Sequence, residues 1–414
     1  MALLTRADSL YSPNEADPSD ARLARQMRRL GEVLAETSAP AARAAAERAG
    51  LLAGTPTLER LRRIPLLRKE ALPAEQAGNP PLGGWAARER MRKLFASPGP
   101  IYEPEGPAPD PWGCATAMHA AGIRAGDVVL NSFSYHLTPA GSIMEGGLLA
   151  LGAVVIPGGT GNTEIQCRAA AHLRATGYAG TPSFLATLLE KADELRVALA
   201  LEVAFVSAEP LPDSLRHGFV SRGVRTQQAY ATADAGIIAY ECPLVDGLHV
   251  GERCIVELVD SESGAPVGPD DPGEIVITLL DPTYPLLRLA TGDLSIYTAG
   301  PCRCGRTAPR LRGILGRTGD AVKVRGLFVH PSTLKSAMAG HPEVARYQFV
   351  VRRSGHLDEI VARIEREQPD DALARRVQAA VHDATRLRAA VEFVAPGTLG
   401  NGTGRVLVDE RRWS

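Results

Sequence analysis

Between residues 19 and 49, leucine and alanine recur at helical spacing among charged residues, with Asp17, Ser19 and Asp20 placed to cap the start. That period predicts an amphipathic entry helix, closed off by Pro65 and the KEALP segment at 69–73. Residues 78–111 lose the period and are rich in Gly and Pro (GNPPLGGW, ASPGPIYEPEGPAPDPW), which predicts an extended loop with turns. From 112 onward the rhythm becomes strand and helix in alternation. DVVLNSF (127–133) and AVVIP (153–157) read as buried strands around a Gly-rich helix. CRAAAHLRATG reads as a helix, YAGTPS as a strand and loop, and VAFVSAE (203–209) as another short buried strand. Such alternation predicts a parallel sheet covered on both faces. Residues 248–280 change to apolar–polar alternation (LHVGERCIVELVD, GEIVITLL), which predicts an antiparallel, hairpin-like unit.

A second unit begins after Gly316, with a strand AVKVRG, a helix PSTLKSAMAG and strands YQFVVRR and EIVARIE. A helix DDALARRVQAAVHDATRLR and a strand VEFVAP complete it. The expected organisation is α/β. A large N-terminal domain (1–316) has parallel sheets and helices plus a β-rich subdomain, and a small α+β C-terminal domain spans 317–414. The boundary near 315–320 is too short for a tether and reads as a hinge.

Composition narrows the function classes. With 414 residues, two domains are the default. A net charge of −1 and a pI near 6.8 give no electrostatic footprint for nucleic acid or an anionic membrane. No apolar run approaches the ~20 residues of a spanning helix, and the N-terminus lacks the pattern of a signal peptide. Six cysteines in a chain of this size do not make a disulfide scaffold, so a reduced, cytoplasmic compartment is expected.

One dense block, PLLRLATGDLSIYTAGPCRCGRTAPRLRGILGRTGDAVKVRG (285–326), carries the chemistry. Cys242, His249, Cys302 and Cys304 form a candidate zinc set, two on YEC…GLH and two on Cys-x-Cys. Soft sulfur ligands with an imidazole would close a structural site with no open position. Buried reduced cysteines are the alternative. Cys254 is a candidate substitute ligand, whereas Cys114 and Cys167 lie on helical segments and read as packing.

The Thr-Gly-Asp at 291–293, the Cys-Gly-Arg at 304–306, Gly316-Arg317 and Lys323-x-Arg325-Gly326 resemble the phenylacetate-CoA ligase family of adenylate-forming enzymes. NSFSYHLTPAG (131–141), GNTEIQ (161–166), GTPSFL (180–185), SAEPLPDSLR (207–216), AYATADAG (229–236) and YEC (240–242) continue the resemblance in order. It implies ATP/AMP, magnesium and coenzyme A as cofactors, and a structural zinc on the Cys/His set. Asp293 would hold the ribose with Arg317 beside it, Glu209 and Tyr230 would contact the nucleotide, and Asp234 would bind magnesium. Tyr135, His136, Pro139 and Ala208 would shape the acyl pocket, with His136 also a candidate general base. Lys323 belongs to the loop that serves the thioester step, and Gly319, where the family usually has an acidic residue, still permits rotation about the hinge.

Three departures cut into the ATP chemistry. The segment aligned with the phosphate loop, FASPGPIYEPEG (95–106), has prolines in place of amide donors and adds Glu103 and Glu105. The family's Thr-Glu becomes Ala233-Asp234. The C-terminal lysine of the family aligns with Arg405 or is deleted, and no lysine follows Lys335. The leading expectation is an ATP-dependent acyl-CoA ligase for a small, aromatic carboxylic acid. The alternative is an acyltransferase without adenylation, moving an acyl group between CoA and a carrier-protein thiol. A binding protein for acyl-CoA or nucleotide without turnover is the third. The sequence does not fix the oligomeric state; many soluble enzymes form symmetric dimers, which makes a homodimer a candidate assembly.

Overall fold

The computed structural model describes residues 10–97, 100–318, 322–324, 327–329, 331–354, 357–399 and 405–411. It divides into two compact units. The first comprises Met1–Asp271, Ile275–Thr291 and Ile296–Gly313, and the second comprises Pro272–Glu274, Gly292–Ser295 and Ile314–Ser414. The main break therefore falls between Gly313 and Ile314, and two short segments upstream also group with the second unit.

In the first unit, helix Ser19–Glu36 buries Met27, Leu30, Val33 and Leu34, the stripe expected of an amphipathic helix. Buried Arg22 on the same face donates to the carbonyls of Val250 (2.9 Å) and Gly251 (3.0 Å). Ahead of this helix, Ser12 opens a short 3-10 turn whose Glu15 closes a capping box. The same carboxylate reaches Arg306 Nε at 2.6 Å, with both side chains nearly excluded from solvent. The N-terminal YSPNEADP segment is thereby tied to the Cys-Gly-Arg turn.

Strand β1 (Leu67–Arg68) is followed by the pair β2 (Lys93–Ser97) and β3 (Ile101–Glu105). The parallel strands are β4 (Val128–Asn131), β5 (Val154–Pro157), β6 (Gly177–Gly180), β7 (Val203–Val206) and β8 (Arg225–Thr232). Next come β9 (Gly236–Glu241), β10 (Leu248–Val250) and β11 (Cys254–Val259), then β12 (Gly273–Leu279) and β13 (Leu289–Ser295). Short strands β14 (Tyr297–Thr298), β15 (Arg310–Leu311) and β16 (Gly316–Arg317) close the series.

Nine of these form one sheet in the order β14-β15-β10-β9-β8-β7-β6-β4-β5. It is parallel from β5 through β8 and antiparallel beyond. Helices 114–121, 140–150, 163–172, 182–195 and 213–221 supply the crossover layers. Strands β6 and β7 are buried at every position, as their continuous apolar runs require. β5 differs from the buried strand expected of AVVIP. It is the sheet edge, and Val154 is 56% exposed. The Gly/Pro-rich stretch also departs from an extended loop, because it contains the antiparallel β2–β3 pair, with Leu94 opposite Pro104.

A second sheet has the order β1-β13-β12-β11. LHVGERCIVELVD is therefore not one strand. It breaks at Gly251–Arg253, and its halves β10 and β11 join different sheets.

The second unit holds the pair β17 (Val322–Val324) and β18 (Leu327–Val329). It also holds β19 (Tyr347–Ser354), β20 (Leu357–Glu365), β21 (Ala389–Val394) and β22 (Leu407–Asp409). The last four form a sheet in the order β21-β20-β19-β22. Helices Pro331–Met338 and Asp371–Thr385 pack Leu334, Met338, Leu373, Val377 and Val381 with Phe349, Val351 and Ile360. Asp370 starts the longer helix by accepting from Leu373 N at 2.9 Å. Among the described residues no helix is long and apolar enough to cross a membrane.

Candidate functional site

The chain leaves β4 to form β5 on one side and then crosses to β6 on the other, so the winding reverses at β4. In an open parallel sheet a ligand crevice opens at such a point, outside the carboxyl ends of the strands. Most pocket and nucleotide residues expected from sequence fall on that edge. Tyr135, His136 and Pro139 lie on the loop after β4, Ala208 and Glu209 follow β7, and Tyr230 and Asp234 lie at and beyond the end of β8.

Tyr135 Oη accepts from Asn131 Nδ2 at 2.7 Å. Burial, then a hydrogen bond with Glu145, raises its pKa well above the ordinary phenol value. His136 is exposed, and its backbone N–H donates to Ser134 Oγ at 3.1 Å. Ala208 has φ +71°, a left-handed conformation that costs a non-glycine residue energy and that clusters at functional sites. Glu209 accepts from Ser183 N (3.2 Å) and Ser183 Oγ (2.9 Å), at the start of helix Pro182–Leu195. A bulge at Tyr230/Ala231 turns the end of β8.

The segment expected to cradle phosphate is the β2–β3 pair, whose residues 98 and 99 lie outside the described residues. Its two glutamates do not line an open loop. Glu105 is buried, 2.9 Å from Lys93 Nζ, and accepts from Trp112 Nε1 (2.9 Å) and Ser142 Oγ (2.6 Å). Glu103 is fully buried and accepts from Ser97 Oγ, while its Oε2 has no hydrogen-bond partner. Burial pushes its pKa up to about 7.

A carboxyl with a raised folded pKa stabilises the fold fully below its unfolded pKa. That contribution is lost as pH rises through the folded value. Stability is therefore expected to fall between pH 4.5 and about 7, by on the order of 3 kcal/mol. Glu103→Gln should flatten this segment of the profile and be the more stable protein at pH 8, read by urea unfolding at a series of pH values. A wild-type profile with no such slope would contradict the assignment.

Asp234 is also fully buried. Its Oδ1 lies 2.6 Å from Lys69 Nζ and its Oδ2 accepts from Thr232 Oγ1 at 2.9 Å. Oδ2 is committed, whereas Oδ1 accepts no hydrogen bond and faces only the Lys69 ammonium, so a lysine charge stands where the magnesium ion expected at Asp234 would bind. Lys69 already supplies the positive charge there.

In the second unit Asp293 and Arg317 are cross-strand partners on β13 and β16, with Arg317 Nε 3.4 Å from Asp293 Oδ1. The aspartate is largely buried and the guanidinium 77% exposed, so the pair is open on the arginine side. Arg405 is exposed, and its carbonyl accepts from Gln348 Nε2 at 3.1 Å. Lys323 is opposite Phe328 in the β17–β18 pair. The Lys323 side chain, Gly319, Asp320, Arg325, Gly326 and 400–404 lie outside the described residues.

The Cys/His set converges. The ligand atoms of Cys242, His249, Cys302 and Cys304 all lie within 4.8 Å of one another. Cys242 Sγ is 3.7 Å from Cys302 Sγ, and Cys304 Sγ is 3.5 Å from His249 Nε2. Tetrahedral zinc with Zn–S ≈ 2.3 Å and Zn–N ≈ 2.0–2.1 Å requires S···S of roughly 3.8 Å and S···N of roughly 3.6 Å. The residues present therefore fit the ion. A shared hydrogen bond, before burial, raises the Cys242 pKa and lowers that of Cys304, which also bonds His249. Cys254 is not part of the set. It is a core residue whose thiol burial pushes up to about 12.

A cavity of about 700 Å³ opens elsewhere in the first unit, beside helix Ser19–Glu36. Its charges answer one another, as in Arg25–Glu252, Arg29–Glu32 and Arg253–Asp281.

Residues 112–278 match the family of AMP-binding enzymes, and residues 326–411 match the AMP-binding enzyme C-terminal domain. Phenylacetate-coenzyme A ligase of Thermus thermophilus is 34% identical over 330 residues, 75% of this chain and 73% of that protein. The phenylacetate-coenzyme A ligase of Aromatoleum evansii is 26% identical over 363 residues, 80% and 82% of the two chains. Among solved structures, an open conformation of 2-hydroxyisobutyryl-CoA ligase in complex with 2-HIB-AMP and CoA aligns with a TM-score of 0.83. It is 25% identical and covers 95% of this chain and 92% of its own.

Proposed function

The chain belongs to the phenylacetate-CoA ligase family, and from that premise we propose that it is an acyl-CoA ligase that activates a small, aromatic carboxylic acid through an acyl-adenylate. The single observation that supports this most is the reversal of the sheet at β4, where the loops after β4 and β7 and the end of β8 bring Tyr135, Ala208, Glu209 and Tyr230 to one edge. In the first step a carboxylate oxygen attacks the α-phosphorus of ATP and pyrophosphate leaves. In the second a thiol sulfur attacks the acyl carbon and AMP leaves.

Tyr135, His136, Pro139 and Ala208 form the acid pocket in this reading, the half-exposed phenol ring favouring an aryl group. Glu209 and Tyr230 contact the nucleotide. Asp293 accepts from the ribose hydroxyls, an acceptor-only role that suits a carboxylate, with the exposed Arg317 beside it. Arg405 carries the positive charge of the adenylation step, and Lys323 serves the thioester step. Zinc, held by Cys242, His249, Cys302 and Cys304, is structural, because a four-ligand set leaves no open position. No step is routed through magnesium at Asp234.

One observation favours a second reading. Lys69 pairs with the carboxylate of Asp234, and the segment aligned with the phosphate loop is a proline-bearing hairpin, which suits an enzyme that has given up adenylation and transfers acyl groups between CoA and a carrier-protein thiol. Carboxylate-dependent ATP–pyrophosphate exchange with a panel of aryl and short acyl acids separates the two. Exchange with an aryl acid is the expected result. Its absence from folded, metal-replete protein, together with acyl transfer from an acyl-CoA, would establish the second reading instead.

A further inference from the structure

Asn131 is the last residue of β4, paired with β5 on one side and β6 on the other. Its amide has no exposure to solvent. A polar side chain in such a place costs free energy unless its hydrogen bonds are made. Here they are made. Nδ2 donates to Tyr135 Oη at 2.7 Å and to the carbonyl of Gly141 at 2.9 Å, and Oδ1 accepts from the Phe133 N–H at 3.2 Å. The three partners are the start of the loop after β4, the phenol that loop carries, and the first turn of helix Ala140–Ala150. No other side-chain type offers two donors and an acceptor in so short a reach.

The backbone of that loop has ties of its own. Gly141 N donates to Ser134 O at 2.8 Å, and Leu137 O accepts from Ala96 N of β2 at 3.0 Å. What the Asn131 amide adds is the placement of one ring. While it holds the Tyr135 hydroxyl, the ring itself lies against the bare Cα of Gly141. A Cβ there would come 2.8 Å from the ring Cγ and 2.9 Å from Cδ1, closer than atoms pack. A tyrosine side chain has two torsions, and a held hydroxyl with a supported ring fixes both. The residue is still 36% exposed, at the edge where the crevice opens. We infer that Asn131 is a positioning residue that, with Gly141, sets the Tyr135 ring as the pocket wall that favours an aryl acid over a short aliphatic one. Asn131 touches no substrate and acts through Tyr135. The preference between acids rests on the ligase reading, whereas the fixing of the ring does not.

The test uses the full chain carrying Asn131→Ser, whose hydroxyl is too short to reach the phenol. The kcat/KM for an aryl acid, relative to that for a short aliphatic acid, should fall on the order of tenfold or more, the scale on which pocket fit discriminates. A residue with a purely structural role would lower thermal stability and leave that ratio unchanged. Gly141→Ala is the second variant. It pushes on the same ring without opening the site of the buried amide, so it serves even where Asn131→Ser does not fold, and the ratio should fall there too. Tyr135→Ala removes the wall, and adding Asn131→Ser to it should change the ratio no further. An unchanged ratio in either single variant would overturn the inference, as would a further fall in the double variant. A second measurement needs no turnover. In protein carrying fluorotyrosine at its nine tyrosines, the fluorine resonance that Tyr135→Phe deletes should move in Asn131→Ser and in Gly141→Ala. A resonance that stays in place would also overturn the inference. Should the wild-type protein have no ligase activity, the ligase reading fails, and the fluorine resonance still decides whether Asn131 fixes the ring.

Discussion

Chelation of the purified protein, or Cys304→Ser, should lower its thermal midpoint by on the order of 10 °C and release one zinc per chain. The four donors come from three places in the sequence: the end of β9, β10, and the 302–304 turn. An ion there closes a segment without strand or helix, residues 299–309, whose other ties include Arg306 and Thr307 to Glu15 and Arg310 to the carbonyls of Ala299 and Gly300. The turn also carries Arg306, whose pair with Glu15 anchors the N-terminal segment. Loss of metal therefore loosens two regions at once. Binding energy of a structural zinc is folding energy when the site does not pre-exist in the unfolded chain, and on the order of 5 kcal/mol is expected here. Cys254→Ser is the control. It removes a buried core thiol outside the set, and should cost a little stability while keeping the full metal content. Metal analysis with thermal unfolding checks both; a metal-free protein with an unchanged midpoint in Cys304→Ser would rule the zinc out.

This cluster was legible in the sequence because its residue types are rare in the chain and chemically narrow. The parallel core was legible for a related reason: strands such as VAFV, buried on both faces, leave uninterrupted apolar runs. The same rule misled at β5. An apolar run reports strand propensity, but whether the strand is central or at an edge depends on strand order, a tertiary property that gives Val154 its exposure. The β2–β3 pair was hidden by its prolines, which argue against a strand interior. Pro104 is tolerated there in a two-stranded sheet. Lys69 was missed for lack of any local pattern linking it to Asp234. A compositional hint existed. Of 46 basic residues only five are lysine (69, 93, 191, 323 and 335), against 41 arginines, and two of the five hold buried carboxylates. Gln166 lay inside a motif already singled out, GNTEIQ, yet its bonds to Ser132, Gly159 and Gly161 exist only once the fold brings those residues together.

Lys69→Met should destabilise the protein by about 3–5 kcal/mol, because it strands a fully buried carboxylate. Asp234 would keep only the Thr232 hydroxyl, one neutral donor against a whole charge. Asp234→Asn should cost less, since the Lys69 side chain is about a quarter exposed and can turn to water. The double variant Lys69→Met/Asp234→Asn should recover most of the loss, because no charge is then left unpaired. Urea unfolding of the four proteins closes the cycle, and simple additivity would show that the two groups are not coupled in solution. The same variants bear on the reaction. If the ammonium fills the cation position, magnesium chloride should stabilise Lys69→Met and leave the wild-type midpoint unmoved. Equal stabilisation of both would mean that Lys69 yields to the metal, restoring Asp234 to the role its place in the family implies. Adenylation through Asp234 needs that exchange of cations; acyl transfer between thiols does not.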